Sequence, residues 1–146
     1  MESKANFQMA TMIKFIPGEC EAAIELYKKA FGAKVTFLMR WIEAGEHEAI
    51  KTEEDKQLIY HAQLDFNGQR YLLCDNVFDD LPRGHSLYLV ASFKDKDNVK
   101  RAYDYMKEGA TIISPYNFSD SNGADCALID RFGIHWEIIV YDYDSQ

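Results

Sequence analysis

Ala23-Ile24-Glu25-Leu26-Tyr27-Lys28-Lys29-Ala30-Phe31-Gly32-Ala33-Lys34-Val35 has a second version later in the chain, from Val99 through Ala102, Tyr103 and Met106 to Gly109-Ala110-Thr111-Ile112. In both stretches apolar residues recur at i, i+3, i+4 and i+7, the stripe of an amphipathic helix. A glycine suited to the helix C-terminus then stops each one, and an apolar strand-like run follows. Ala23, Leu26, Tyr27 and Ala30 lie over Val99, Ala102, Tyr103 and Met106, a period near 76 residues. Working outward from these helices predicts one unit used twice.

The first unit opens with a strand at Phe7–Phe15, closed by Pro17-Gly18. Its helix runs Glu19–Phe31, with Glu19 and Glu21 at the start and Lys28 and Lys29 in the last turn, matching the helix dipole. A strand at Lys34–Ile42 follows, then an acidic excursion, Glu43–Gln57, with room for a helical turn. Leu58–Phe66 and Gln69–Cys74 read as a hairpin about Asn67-Gly68. The second unit repeats the order: strand Gly84–Phe93, helix Asp95–Glu108 with Asp95 as N-cap, then strands Ala110–Ser114, Ala124–Ile129 and His135–Val140. The expectation is an α+β fold of two βαβββ modules, about 7–76 and 84–141 within a single domain of 1–146. They would form a curved mixed sheet with a concave cleft and the helices outside.

Composition narrows function. The chain has 146 residues and is 47% hydrophobic, enough for a proper core. Its 24 acidic and 16 basic residues give −8, with no basic cluster, so no nucleic-acid or anionic-membrane footprint exists. Cys20, Cys74 and Cys126 form neither a disulfide framework nor a Cys-x-x-Cys pair and fit reduced, buried thiols. No apolar run approaches a membrane span and the start has no signal-like segment, so a cytoplasmic location is expected. Glycine-rich phosphate loops, nucleophile elbows and His-Glu-x-x-His are absent, which argues against nucleotide, hydrolase and zinc-protease chemistry.

In the last strand Trp136, Ile138 and Val140 point to one side and His135, Glu137 and Ile139 to the other. A mid-strand glutamate costs energy unless its face is wet, paired or occupied by a ligand. Glu137 is therefore the first candidate site residue. His61 shares its strand side with Gln63 and Asp65, and its imidazole suits acid/base work or hydrogen bonding to a ligand. Trp41 and Trp136 read as core or contact residues, and His47 and His85 as exposed loop residues. Cys74 has no basic neighbour in sequence to activate its thiol.

Gly18-Glu19-Cys20-Glu21-Ala22-Ala23 leading to Leu26-Tyr27 and Phe31-Gly32, then Tyr60-His61-Ala62-Gln63-Leu64, Leu73-Cys74-Asp75 and Asp130-Arg131-Phe132-Gly133-Ile134-His135-Trp136 resemble the PhnB-like branch of the vicinal oxygen chelate superfamily. That superfamily includes glyoxalase I, bleomycin- and fosfomycin-resistance proteins and extradiol dioxygenases, and the resemblance spans roughly Phe7 to Tyr141. It implies paired βαβββ modules, a ligand cleft and a homodimer. Metal-using members place four ligands on the first and last strands of the modules and use the ion as a Lewis acid. Carried over, Glu137 matches the final glutamate, Met12 and Tyr88 fall on the first-strand positions, and the remaining one lies within Tyr71–Cys74. One matched ligand in four predicts no metal and no other cofactor, a divalent ion being the alternative. Met12, Asp75 and Tyr88 are expected to line the ligand cleft, with Glu137 and His61 as the catalytic candidates. The resulting expectation is a small molecule bound in a dimer cleft. The alternative is a metal-assisted lyase, isomerase or dioxygenase-type enzyme rebuilt around Glu137 and His61.

Overall fold

The computed structural model describes residues 6–84 and 86–141; His85, expected in a loop, lies outside them. The element order is β1 (Thr11–Phe15), α1 (Cys20–Phe31), β2 (Lys34–Arg40), α2 (Trp41–Ala44), α3 (Glu53–Lys56), β3 (Ile59–Phe66), β4 (Gln69–Asp75), β5 (Leu89–Phe93), α4 (Lys96–Met106), β6 (Thr111–Phe118), β7 (Ala124–Ile129) and β8 (His135–Val140). The strands form two four-stranded sheets of the same topology, β1-β4-β3-β2 and β5-β8-β7-β6. In each, the first strand lies parallel to the last and the other pairs are antiparallel. Two βαβββ modules in an α+β architecture are thus present, and their sheets remain separate ladders.

Local chemistry fixes the elements. Gly32 ends α1 at φ 70° in the left-handed region, and its N–H donates back to Lys28. Asp95 caps α4 by accepting from the Asn98 N–H at 2.9 Å. Asn67 and Gly68, at φ 52° and 94°, make the two-residue turn of the β3–β4 hairpin. The acidic excursion begins inside the short turn α2 and holds a second, α3, which a reciprocal capping box between Thr52 and Asp55 opens.

Four boundaries differ from expectation, for local reasons. β1 begins at Thr11, opposite Tyr71, and Phe7, which that register would carry past the start of β4 at Gln69, stays 71% exposed. β5 begins at Leu89, opposite Trp136. β2 ends at Arg40, where Trp41 starts a helical turn. β6 runs on to Phe118 through Pro115, tolerated because β6 is an edge strand with a register shift between Ser114 and Asn117.

α1 and α4 pack against each other and against the two sheets. The aromatic centre contains Tyr27, Phe31, Phe66, Phe93 and Trp136, with Phe31 stacked on Trp136 at 4.6 Å. Asp130 closes it. One carboxylate oxygen accepts from the Phe132 and Ile134 N–H groups at 2.9 and 3.0 Å. The other accepts from the Tyr27 hydroxyl at 2.7 Å and the Trp136 indole N–H at 2.9 Å. Burial and the adjacent carboxylate push the Tyr27 phenol well up. The Asp-Arg-Phe-Gly turn therefore ties β8 to α1 and sets the strand that carries Glu137.

Candidate functional site

Each sheet has one face covered by helix and one face left open. On the first, Ile13, Phe15, Ala62, Leu64 and Leu73 are buried toward the helices, while Met12, on the alternate face, is 43% exposed. On the second, Cys126, Leu128, Trp136 and Ile138 are buried, and Val90, on the alternate face, is 49% exposed. Strand register then fixes which residues stand side by side on the open faces. In the first sheet Phe37, Gln63, Leu72 and Met12 form one row. In the second, Ser114, Ala127, Glu137 and Val90 form the corresponding row.

The two modules superpose position for position in these rows. Met12 pairs with Leu72 on β4 as Val90 pairs with Glu137 on β8. The four first- and last-strand positions are therefore Met12, Leu72, Val90 and Glu137. Val90 replaces Tyr88 in that set, and the reason is the length of the connectors. Four residues, 16–19, separate β1 from α1, but only two, 94–95, separate β5 from α4. Counting back from the helices therefore overshoots by two in the second module. Tyr88 lies just before β5, 51% exposed, its ring stacked on His135 with centroids 3.8 Å apart.

Asp75 leaves the expected cleft altogether. It is 3% exposed, and its carboxylate accepts from the N–H groups of Gly18 at 2.9 Å, Cys20 at 3.1 Å and Ile59 at 2.8 Å. Glu19, at the N-cap of α1, makes no side-chain cap bond, so Asp75 supplies the acceptor from β4 instead. Its position after Leu73, two residues on, turns it toward the helix.

Glu137 is half-buried on the open face of the second sheet. Among the described residues its carboxylate has no hydrogen bond or ion pair. His61 is half-buried on the first sheet, its Nε2 3.2 Å from the Gln63 amide nitrogen and its ring 5.8 Å from Phe37. The two catalytic candidates stand on different sheets and share no bond. Sequence order also hid a neighbour of Cys74: register sets it beside Lys14 on β1. Burial still pushes that thiol up, so it stays protonated and weakly nucleophilic. His47, rather than standing free in a loop, packs with Phe78 against Trp41, which is 5% exposed.

The donor set decides what metal chemistry is available at the four positions. A thioether, two aliphatic side chains and one carboxylate do not make an octahedral site for a hard divalent ion, which takes oxygen and imidazole ligands. No group of three or more His, Cys, Asp or Glu side chains suited to a metal occurs among the described residues. A concavity of about 690 Å³ also runs along β5, lined by Leu89 through Lys94 on one side and by the hairpin tip Asp65–Gln69 on the other. Consecutive strand residues point to opposite faces, so their common contact places the concavity at the unpaired edge of β5.

Residues 11–138 match the Glyoxalase/Bleomycin resistance protein/Dioxygenase superfamily, and the chain belongs to it. Its fold is shared with a PhnB protein of Bacillus cereus described as a candidate 3-demethylubiquinone-9 3-methyltransferase, 18% identical with a TM-score of 0.76 over 92% of this chain and 100% of that one. Protein PA1353 of Pseudomonas aeruginosa is 18% identical at a TM-score of 0.72, over 92% and 98%. A mutant of the fosfomycin resistance protein FosX of Listeria monocytogenes, complexed with Mn(II) and 1S,2S-dihydroxypropylphosphonic acid, is 8% identical at 0.62, over 97% and 98%. At these identities the likeness concerns architecture. No curated protein matches the sequence. No helix among the described residues is long and apolar enough to cross a membrane.

Proposed function

We propose that this superfamily member binds a small molecule between sheet faces brought together in a homodimer, without an octahedral divalent metal. The observation that carries the reading is the register-defined set Met12, Leu72, Val90 and Glu137, in which the glutamate alone suits a hard ion. Three apolar positions around one carboxylate make a surface for an apolar ligand with a single polar anchor. Two features support the dimer. Phe37, Met12 and Val90 are 42%, 43% and 49% exposed on sheet faces that no helix or strand among the described residues covers. The first strand of each sheet also ends its sheet, with no strand among the described residues paired to its outer edge.

The FosX neighbour holds Mn(II) in its complex; the present residues do not reproduce a site for such an ion, so no step is routed through a metal. The methyltransferase description of the PhnB neighbour is not carried over either, because the chain has no glycine-rich segment to cradle S-adenosylmethionine. Sequestration of a ligand, as in a resistance protein of the binding type, is the activity this surface supports best.

Elemental analysis of exhaustively dialysed protein, with melting curves in Zn, Ni, Mn and Fe, tests the metal side. The expected result is no stoichiometric metal and no stabilisation. One equivalent of bound metal that disappears in Glu137→Gln would overturn the reading.

A further inference from the structure

The strands of the second sheet hold carboxylates but no lysine or arginine, and His135 stands two residues from Glu137 on the same face. Its strands read LVASF, TIISPYNF, ADCALI and HWEIIV, with two carboxylates, Asp125 and Glu137, and neither lysine nor arginine. Glu137 stands between Val90 and Ala127, with Ser114 beyond. Asp125, opposite Ile139, is its diagonal neighbour on the same face. A half-desolvated carboxylate with a second one a row away, and no lysine or arginine in the four strands, makes a local negative potential that a positive group would relieve. One row in the other direction, the Tyr88 ring is half exposed over His135. An aromatic face beside a carboxylate is the pair of groups that recognises an ammonium.

Resting on the cleft reading above, we propose that the ligand is an organic cation, a protonated amine or quaternary ammonium on an apolar body. Glu137 is its counter-ion, Tyr88 its aromatic wall, and Val90 and Ile139 its apolar floor. An inorganic ion fits less well, since the two carboxylates are not joined by a third ligand. The competing cation is Lys14 of a second copy. It lies two residues past Met12 on the same open face, and its ammonium has no ion pair among the described residues.

The test uses the full chain and the neutral fluorescent probe N-phenyl-1-naphthylamine, displaced by octylammonium, octanol or octanoate. Octylammonium is expected to displace the probe at about tenfold lower concentration than octanol, and octanoate to be weakest. Glu137→Gln should bring octylammonium back to the level of octanol, each read against that variant's own affinity for the neutral probe. Tyr88→Leu should reduce the ammonium preference in part. Probe binding with no charge preference, or a preference that survives in Glu137→Gln, overturns the cation assignment alone. A wild-type protein that does not bind the probe overturns the cleft reading, and the cation with it. If Glu137→Gln and Lys14→Gln each dissolve the dimer and no amine preference exists, Glu137 belongs to an intermolecular ion pair and the proposal falls.

Discussion

Asp75→Ala separates a structural clamp from a ligand-binding carboxylate. The wild-type carboxylate is buried and accepts three backbone N–H groups that belong to the start of α1 and the start of β3. Truncation leaves all three donors without their partner in a site 3% exposed. Each hydrogen bond to a charged group contributes about 1.5–3 kcal/mol, and water entering the vacated space restores part of it. A net loss of about 3–5 kcal/mol is expected, a large share of the roughly 5–15 kcal/mol that holds a domain together. At about 2–4 °C per kcal/mol for a chain of this size, the midpoint should fall by about 6–20 °C. Asp75→Asn keeps the shape but turns an amide donor toward one of the N–H groups, and should cost about 2 kcal/mol. Urea unfolding followed by tryptophan fluorescence measures both. A cost for Asp75→Ala below about 1 kcal/mol, with ligand affinity reduced instead, would refute the clamp and return Asp75 to the cleft.

The remaining predictions concern the core and its ionisable groups. Tyr27→Phe removes the 2.7 Å bond to Asp130 and should cost about 1–2 kcal/mol, read from the same unfolding curves; no loss would mean that Asp130 is held by its other three donors alone. Burial, then the neighbouring Asp125 carboxylate, pushes the Cys126 thiol up from 9.0 to about 12. A raised folded-state value stabilises fully below the unfolded thiol range and is lost as pH rises through that window. Stability should therefore fall between about pH 9 and 12, Cys126 contributing about 1.4 kcal/mol per unit, and Cys126→Ser should flatten the slope. An unchanged slope would contradict a protonated Cys126. In native protein at neutral pH none of the three buried thiols should react with Ellman's reagent before unfolding; rapid labelling of Cys74 would mean that Lys14 activates it.

Much of the fold was legible because it rests on local chemistry. Helix periodicity, the stop at Gly32, the Asp95 cap and the Asn67-Gly68 turn act within a few residues, and each stands where the sequence put it. What sequence order hides is whatever depends on strand register. Val90 takes the place expected for Tyr88 because the two strand-to-helix connectors differ by two residues, a difference that the matching helices do not reveal. The family resemblance assigns Asp75 to the cleft, yet its partners Gly18 and Cys20 lie more than fifty residues away in sequence. Lys14 reached Cys74 in the same way, across a parallel pair. Pro115 sits inside β6 because an edge strand has no partner for the N–H it lacks. The placement of Glu137 on the face opposite Trp136 and Ile138 was legible from the sequence alone, since alternation holds wherever the strand ends up. That none of the four strands around it holds a lysine or arginine needed the whole sheet.

The most direct test of the proposed cleft is a cross-link between copies. Met12 and Val90 occupy equivalent places in the two modules, on first strands whose free edges belong to separate sheets within one chain. Protein carrying Met12→Cys mixed with protein carrying Val90→Cys, oxidised gently and run on a denaturing gel, should give a disulfide-linked dimer that neither variant gives with wild type. A light-scattering mass of one chain at micromolar concentration, with no cross-linked band from the mixture, would contradict a ligand cleft built between two copies.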